Sequence, residues 1–277
     1  MRELRRKFFH LLWTLVLIYV PLYIISALKS ARPSAQELVA TPAPDLYPAS
    51  EPLPPHTTGP LSGEMRILTR NLPYTAKVPD TLNKPTYRLR GNSARMHMIG
   101  ERPVTLMEYG RDLNAYFANG FFKGFVPFPV ESQWLAMHHV SKRLQYVLDS
   151  EQFGGYQEIW LTSEEAYENM RGDCEDHAIL LADWLSALGY DARVAFGSFK
   201  NEGHAWVVLF DGGKTYLLEA TSKYVKRSFP LAAALPQYHP EGMFNRDFIW
   251  YNYGSKLTTD YGGRNWVKTA RFLPYGR

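Results

Sequence analysis

Met170-Arg171-Gly172-Asp173-Cys174-Glu175-Asp176-His177-Ala178 is the stretch on which the reading of this chain turns. It holds the only cysteine among 277 residues. It also opens a periodic segment in which Ala178, Leu181, Leu185 and Leu188 recur at spacings of three and four before Gly189. That spacing predicts a helix over 174–188, with Asp173 as N-cap, Asp176 in a capping-box position and Gly189 as the stop. A thiol in the first turn of a helix meets unpaired N–H groups and the positive end of the helix dipole, which favour a thiolate. Gly172 lets backbone approach closely. Asp173, Glu175 and Asp176 oppose a thiolate, so this reading needs an imidazolium or a bound cation nearby.

Working outward, His204 opens the apolar run Gly203-His204-Ala205-Trp206-Val207-Val208-Leu209-Phe210, and Glu219 lies in Tyr216-Leu217-Leu218-Glu219-Ala220-Thr221. Asp211-Gly212-Gly213-Lys214 joins the two as a hairpin signal. A Gly212-Gly213 turn pairs 211 with 214 and, counting outward, 206 with 219 and 204 with 221. An Asp211-Gly212 turn pairs 204 with 219. Either places His204, Trp206, Glu219 and Thr221 on one sheet face, because opposed residues and residues two apart share a face. A thiol, an imidazole and a carboxylate to orient it are the parts of a nucleophilic acyl-transfer site. Singly each has a plainer reading: a small buried hydrophobe for Cys174, a core histidine for His204, a surface strand residue for Glu219. His177 reads as structural, since it follows Cys174 too closely on one helix. His138 and His139 are the remaining alternatives, and no Cys/His grouping has zinc-ligand spacing.

Elsewhere in the body, apolar spacing predicts helices over 103–120 and 131–149 and a helix beginning at Ser163-Glu164-Glu165-Ala166. Strands are expected at 192–198, 204–210, 214–221 and around Phe248-Ile249-Trp250-Tyr251. Helices followed by an antiparallel sheet make an α+β fold.

Residues 8–28 carry no Asp, Glu, Lys or Arg. At about 1.5 Å per residue, a helix of that length crosses the hydrocarbon core of a bilayer. Arg2, Arg5, Arg6 and Lys7 before it favour an N-terminus in the cytoplasm and a body outside it. A cleaved signal peptide is the competing reading. Eight of the 19 prolines fall in residues 30–62, which read as a semi-extended linker or a disordered tail. The domain expectation is therefore an anchor at 1–29, a Pro-rich linker at 30–62, an arm of uncertain structure at 63–100, and a catalytic domain at 101–277. Apolar content is 45% and net charge +4, with Lys and Arg scattered beyond the N-terminus, so no nucleic-acid stripe is present.

The segment from Trp160 to Thr221 resembles the core of the transglutaminase-like cysteine peptidase superfamily. The likeness rests on Arg171-Gly172-Asp173-Cys174-Glu175-Asp176-His177-Ala178, on Gly203-His204-Ala205-Trp206-Val207 and on Tyr216-Leu217-Leu218-Glu219-Ala220-Thr221, with Trp160 and the Ser-Glu-Glu helix start ahead of them. The resemblance implies a papain/transglutaminase-like core with the cysteine at a helix N-terminus packed on an antiparallel sheet. It implies Cys174 as nucleophile, His204 as general base and acid, and Glu219 in the place of the family's usual Asp, one methylene longer. It suggests Trp160 beside the thiol and Gln157 as an oxyanion donor. Gly-Asp-Cys-Glu-Asp also resembles a periplasmic branch of bacterial proteases in which the flanking acids hold calcium; Asp173 and Glu175 match that pattern, with helix capping as their plainer role. The expectation is thus a single-pass inner-membrane thiol protease, body in the periplasm, acting on protein or peptide substrates, with no required cofactor beyond an optional Ca²⁺. Amide transfer (transglutaminase or deamidase chemistry) and a non-catalytic peptide- or glycan-binding module on the same fold are the alternatives.

Overall fold

The structure, a computed structural model, describes residues 59–72, 81–82, 96–223 and 230–275. The expected anchor, all but the last four residues of the linker, and parts of the arm lie outside the described residues. Among the described residues, no helix is long and apolar enough to cross a membrane.

In chain order the strands are β1 (Gly63–Ile67), β2 (Thr81–Leu82), β3 (Met98–Ile99), β4 (Arg102–Pro103), β5 (Met107–Tyr109), β6 (Ala115–Phe117), β7 (Gln145–Tyr146), β8 (Arg171–Gly172), β9 (Asp191–Phe199), β10 (Glu202–Asp211), β11 (Lys214–Leu218), β12 (Tyr238–Phe244), β13 (Phe248–Asn252) and β14 (Trp266–Pro274). The α-helices are α1 (Gln133–Arg143), α2 (Asp149–Gln152), α3 (Ser163–Asn169) and α4 (Cys174–Ala187). Eight strands form one antiparallel sheet in the order β11-β10-β9-β12-β13-β14-β1-β2. Both hairpins that matter here close through two residues of positive φ, Gly212-Gly213 and Lys200-Asn201, the turn geometry that matches strand twist. Asp211 pairs with Lys214 and Val207 with Leu218, so the register is the Gly212-Gly213 alternative.

Alternation along the strands sends two residue sets to opposite faces. Ala205, Val207, Leu209 and Val194 join the cluster that contains Leu181 and Leu185 of α4. Trp206, Val208 and Ala195 join Met243, Trp250 and Tyr261 on the other side. Every residue of α4 from Glu175 to Leu185 is buried, so this helix is apolar nearly all round and packs on β9, β10, α1 and α3 at once.

The predicted 174–188 helix is α4, and the helix from Ser163 is α3, whose capping box runs between Thr162 and Glu165. The expectation of a helix over 103–120 fails. That stretch holds β4, β5, β6 and a 3-10 turn at Ala118–Phe121. Leu113 turns the chain with φ of 60°, and the Asp112 carboxylate accepts from the Asn114 backbone N–H and the Tyr116 hydroxyl, locking a hairpin where apolar spacing suggested a helix. The 131–149 helix is shorter than expected, because α1 ends at Arg143 and β7 pairs with β8 in parallel. Within 63–100, whose structure the sequence leaves uncertain, β1 pairs along β14.

One polar contact inside this core is large. The Asp183 carboxylate, 0% exposed in mid-α4, accepts from the backbone N–H groups of Lys123, Gly124 and Phe125 and from the Ser163 hydroxyl. Arg246, in the β12–β13 turn, pairs with it at 2.8 Å. Removing a partner from a buried charge of this kind costs about 3–5 kcal/mol. Asp183→Ala is expected to lower unfolding free energy by about that much, which urea denaturation followed by circular dichroism measures.

Candidate active site

Cys174 is the first residue of α4, and its thiol donates to Glu175 Oε2 at 3.3 Å. It is half-buried rather than sealed in the core. Gly172 ahead of it has a steric reason: a Cβ there would run into the Asp176 carboxylate. His204 is the third residue of β10, and its Nε2 lies 2.8 Å from Glu219 Oε2. That leaves the other ring nitrogen free of Glu219, and Cys174 is among the groups that raise the imidazole. Burial by itself would lower the His204 pKa. The hydrogen bonds to Cys174 and Glu219, with the negative charges of both, overcome it and raise the imidazole to about 10. Glu219 answers in kind: burial pushes its carboxyl up, but the His204 contact and two bonds from Thr221 hold it below its usual value.

The two side chains that the hairpin register put on one face, His204 and Glu219, are thus joined by a hydrogen bond. The Glu219 carboxylate is held at both oxygens, since Oε1 accepts from the Thr221 N–H at 3.1 Å and hydroxyl at 2.6 Å, while Oε2 accepts from Tyr238 at 2.9 Å as well as from His204. Aromatic rings line the imidazole: Trp206 stacks near it, and Phe199 and Tyr238 lie within 6.2 Å of its centroid. Tyr146, 44% exposed, has its ring near that of His177; burial, then the charges of Cys174, Asp173, Glu175 and Glu219, raise its hydroxyl pKa.

The remaining sequence candidates fall differently. Trp160 is buried, stacked on Phe244 and edge-on to Phe121. Gln157 is exposed, and its amide donates to the neighbouring Gly155 carbonyl. His177 is buried, and its Nδ1 donates to the Asp173 carbonyl, the structural role expected of it. His139 sits among Phe128, Tyr167 and Trp184, and burial lowers it to about 4.

Asp173 is the N-cap residue of α4, as expected, but the expected side-chain capping bonds are not made. The Asp173 side chain makes no cap hydrogen bond. The Asp176 carboxylate accepts from the Leu161 N–H at 2.8 Å instead of bonding back to the cap. The two join Asp149 and Glu175 in a buried group whose oxygens lie within 4.8 Å of one another. Asp149 Oδ1, Asp173 Oδ1, Glu175 Oε1 and Asp176 Oδ2 are buried without a hydrogen-bond partner. None of the four carboxylates has a salt-bridge partner among the described residues. Burial and then the Asp173 charge push Glu175 and Asp176 well up and Asp149 to about 8. A set of hard oxygens at this spacing fits a calcium ion, whose ligands sit at about 2.3–2.6 Å. Sequence reading found Asp173 and Glu175 but not Asp149, which arrives from α2 with no local signal.

The family model of the CEP76 peptidase-like domain matches residues 158–261. That span contains Cys174, His204 and Glu219. Human protein CC2D2B is 31% identical over 97 residues, 34% of this chain and 6% of that protein. Centrosomal protein of 76 kDa from Xenopus tropicalis is 37% identical over 78 residues, 27% of this chain and 12% of that one. The chain therefore spans a small fraction of these relatives. Among solved structures, calcium-bound LapG from Legionella pneumophila aligns at 21% identity and a TM-score of 0.38, covering 50% of this chain and 78% of that one.

Because its folded pKa is raised, His204 contributes stability that is complete below its unfolded value near 6.5 and is lost as pH rises toward 10. An NMR titration of the imidazole is expected to find it protonated through neutrality. Glu219→Gln, which removes one of the two charges that raise it, is expected to move the midpoint down.

Proposed function

We propose that this protein is a thiol enzyme of the cysteine-peptidase type, acting on peptide or side-chain amide bonds through Cys174, His204 and Glu219. The observation that carries this reading is the imidazole of His204, held at Nε2 by the Glu219 carboxylate, with a half-buried thiol at the first residue of α4. In the reaction, the thiol proton already rests on His204 at neutral pH, and the Cys174 thiolate, paired with that imidazolium, attacks the amide carbonyl, forming a C–S bond. Backbone N–H groups at the start of α4, that of Cys174 among them, hold the oxyanion. The imidazolium then gives its proton to the leaving amine as the C–N bond breaks. Water on the acyl-enzyme completes hydrolysis and restores the thiol; an amine in its place would give cross-linking. Glu219 fixes the imidazole tautomer and stabilises its charge. The half-burial of Cys174 and the His204–Glu219 pair favour this over a non-catalytic binding module, which would need none of the three. In the same reading, residues 8–28 anchor the chain in the inner membrane, residues 30–62 form a spacer, and the body, with 63–100 packed on it, works in the periplasm on protein or peptide substrates. The anchor rests on the uncharged apolar run and the basic residues before it.

Asp149, Asp173, Glu175 and Asp176 would hold calcium. Bound there, the ion would neutralise carboxylate charge next to the thiol and so relieve the opposition to a thiolate.

Alkylation of Cys174 by iodoacetamide near neutral pH is expected to be fast in the folded protein and about tenfold or more slower in His204→Ala. Equal rates in the two would overturn the enzyme reading. Calcium is expected to raise the melting temperature by several degrees, with EGTA reversing it and Asp149→Asn abolishing it. The pH dependence has a definite sign. Carboxyls raised in the folded state favour folding as they protonate, so without calcium stability grows as pH falls from about 8 toward the unfolded value near 3.8, and the increment from calcium shrinks over the same interval. Differential scanning calorimetry across that range measures both.

A further inference from the structure

The carboxylate that orients His204 is itself oriented from a fourth strand. Tyr238 is the first residue of β12, paired with Phe199 of β9, and the two rings stack at 4.4 Å between centroids. Its ring also meets Trp206 edge-on at 5.1 Å. From there the hydroxyl reaches Glu219 Oε2, the same oxygen that bonds His204. On the strand between, Ala195 and Gly197 stand directly opposite Trp206 and His204, so β9 offers a methyl group and a hydrogen where larger side chains would block the way. Tyr238 is 6% exposed, so water has little access to replace its bond. Its hydroxyl is held protonated by burial and then by the Glu219 charge, which makes it a donor and never a competitor for the imidazole proton.

The arrangement answers a question posed by Glu219 itself. A glutamate has one more rotatable bond than an aspartate, and therefore more ways to turn its carboxylate from the imidazole. Thr221 fixes Oε1 from the residue two positions on, but a carboxylate held at one oxygen still pivots about it. A donor on Oε2 stops the pivot. We propose that Tyr238 is a positioning residue of the active site: it locks the Glu219 carboxylate in the orientation that serves His204, and acts on Cys174 only through that carboxylate. This rests on the reading of Cys174, His204 and Glu219 as a catalytic triad.

The test is a cycle on the full chain, with iodoacetamide alkylation of Cys174 at neutral pH as the readout. Tyr238→Phe removes one oxygen and leaves the stack on Phe199 in place. Alkylation is expected to slow by roughly fivefold, the size of a partial loss of one charge-assisted hydrogen bond, with circular dichroism unchanged. In a Glu219→Ala background the same change is expected to do nothing further. A tyrosine that merely supports packing would slow both backgrounds alike, and that result overturns the proposal. So does Tyr238→Phe at the wild-type rate while His204→Ala is slow, an outcome that leaves the enzyme reading standing. Equal rates for wild type and His204→Ala would remove that reading and this proposal with it. If Tyr238→Phe loses the fold, 3-fluorotyrosine at position 238 keeps the contacts and alters only hydroxyl acidity. The alkylation rate must then change with Glu219 present and stay constant without it.

Discussion

Five donors converge on one carboxylate in the middle of α4, and the placement of everything else near the thiol follows from them. Asp183 takes bonds from a loop at 123–125, from the start of α3 and from the β12–β13 turn. Apolar packing alone would let a helix buried all round slide or rotate at small cost, because its contacts are non-directional. A charged, fully buried hub with fixed hydrogen-bond directions removes that freedom. Cys174 sits nine residues upstream on the same rigid rod, so its distance from His204 is set by a contact about 13 Å away along the helix axis.

At the other end of that rod the electrostatics run against stability. Four carboxylates surround the first turn, and three of them are pushed up in pKa by burial and by one another. The positive end of the helix dipole compensates only in part, since it amounts to about half a charge. Acids crowded beside a nucleophile gain a physical rationale once a divalent cation joins them: the same ligands that bind the ion stop opposing the sulfur. Gly172 shows how tightly the cluster is drawn in, because the Asp176 carboxylate occupies the place where any side chain at 172 would go.

Much of the site was legible before any coordinates, for reasons of range. The α4 helix announced itself by its apolar period and its Gly189 stop, both local. The His204–Glu219 contact followed from the parity of a hairpin with a two-residue turn, which is arithmetic once the turn is recognised. The error over 103–120 has an equally local cause: Leu106, Tyr109, Leu113 and Phe117 fit a helical spacing, while the decisive signal was Asp112 bonding its neighbours in a turn. Asp149, Asp183 and Tyr238 were out of reach for another reason. Each acts on residues brought to it by tertiary packing, and an isolated acid or tyrosine carries nothing in sequence that names its partner. The capping-box expectation for Asp176 failed in the same way, when a distant backbone N–H at Leu161 outcompeted the local one, while Asp173 took the N-cap position without its side-chain bond.

The pairing of β1 with β14 sets an order of events during synthesis. Residues 63–67 leave the ribosome long before the strand they lie against, which spans 266–274, so they wait for that neighbour while all the sequence between is made. Closing so long a loop adds little to the thermodynamic cost, which grows only with the logarithm of its length. Its effect is on timing: β9, β10, β11 and α4 emerge together and can assemble the sulfur, imidazole and carboxylate before the far edge of the sheet is sealed. The first turn of α4 and the His204–Glu219 pair would then be in place on a nascent chain whose β1–β14 seam is still open.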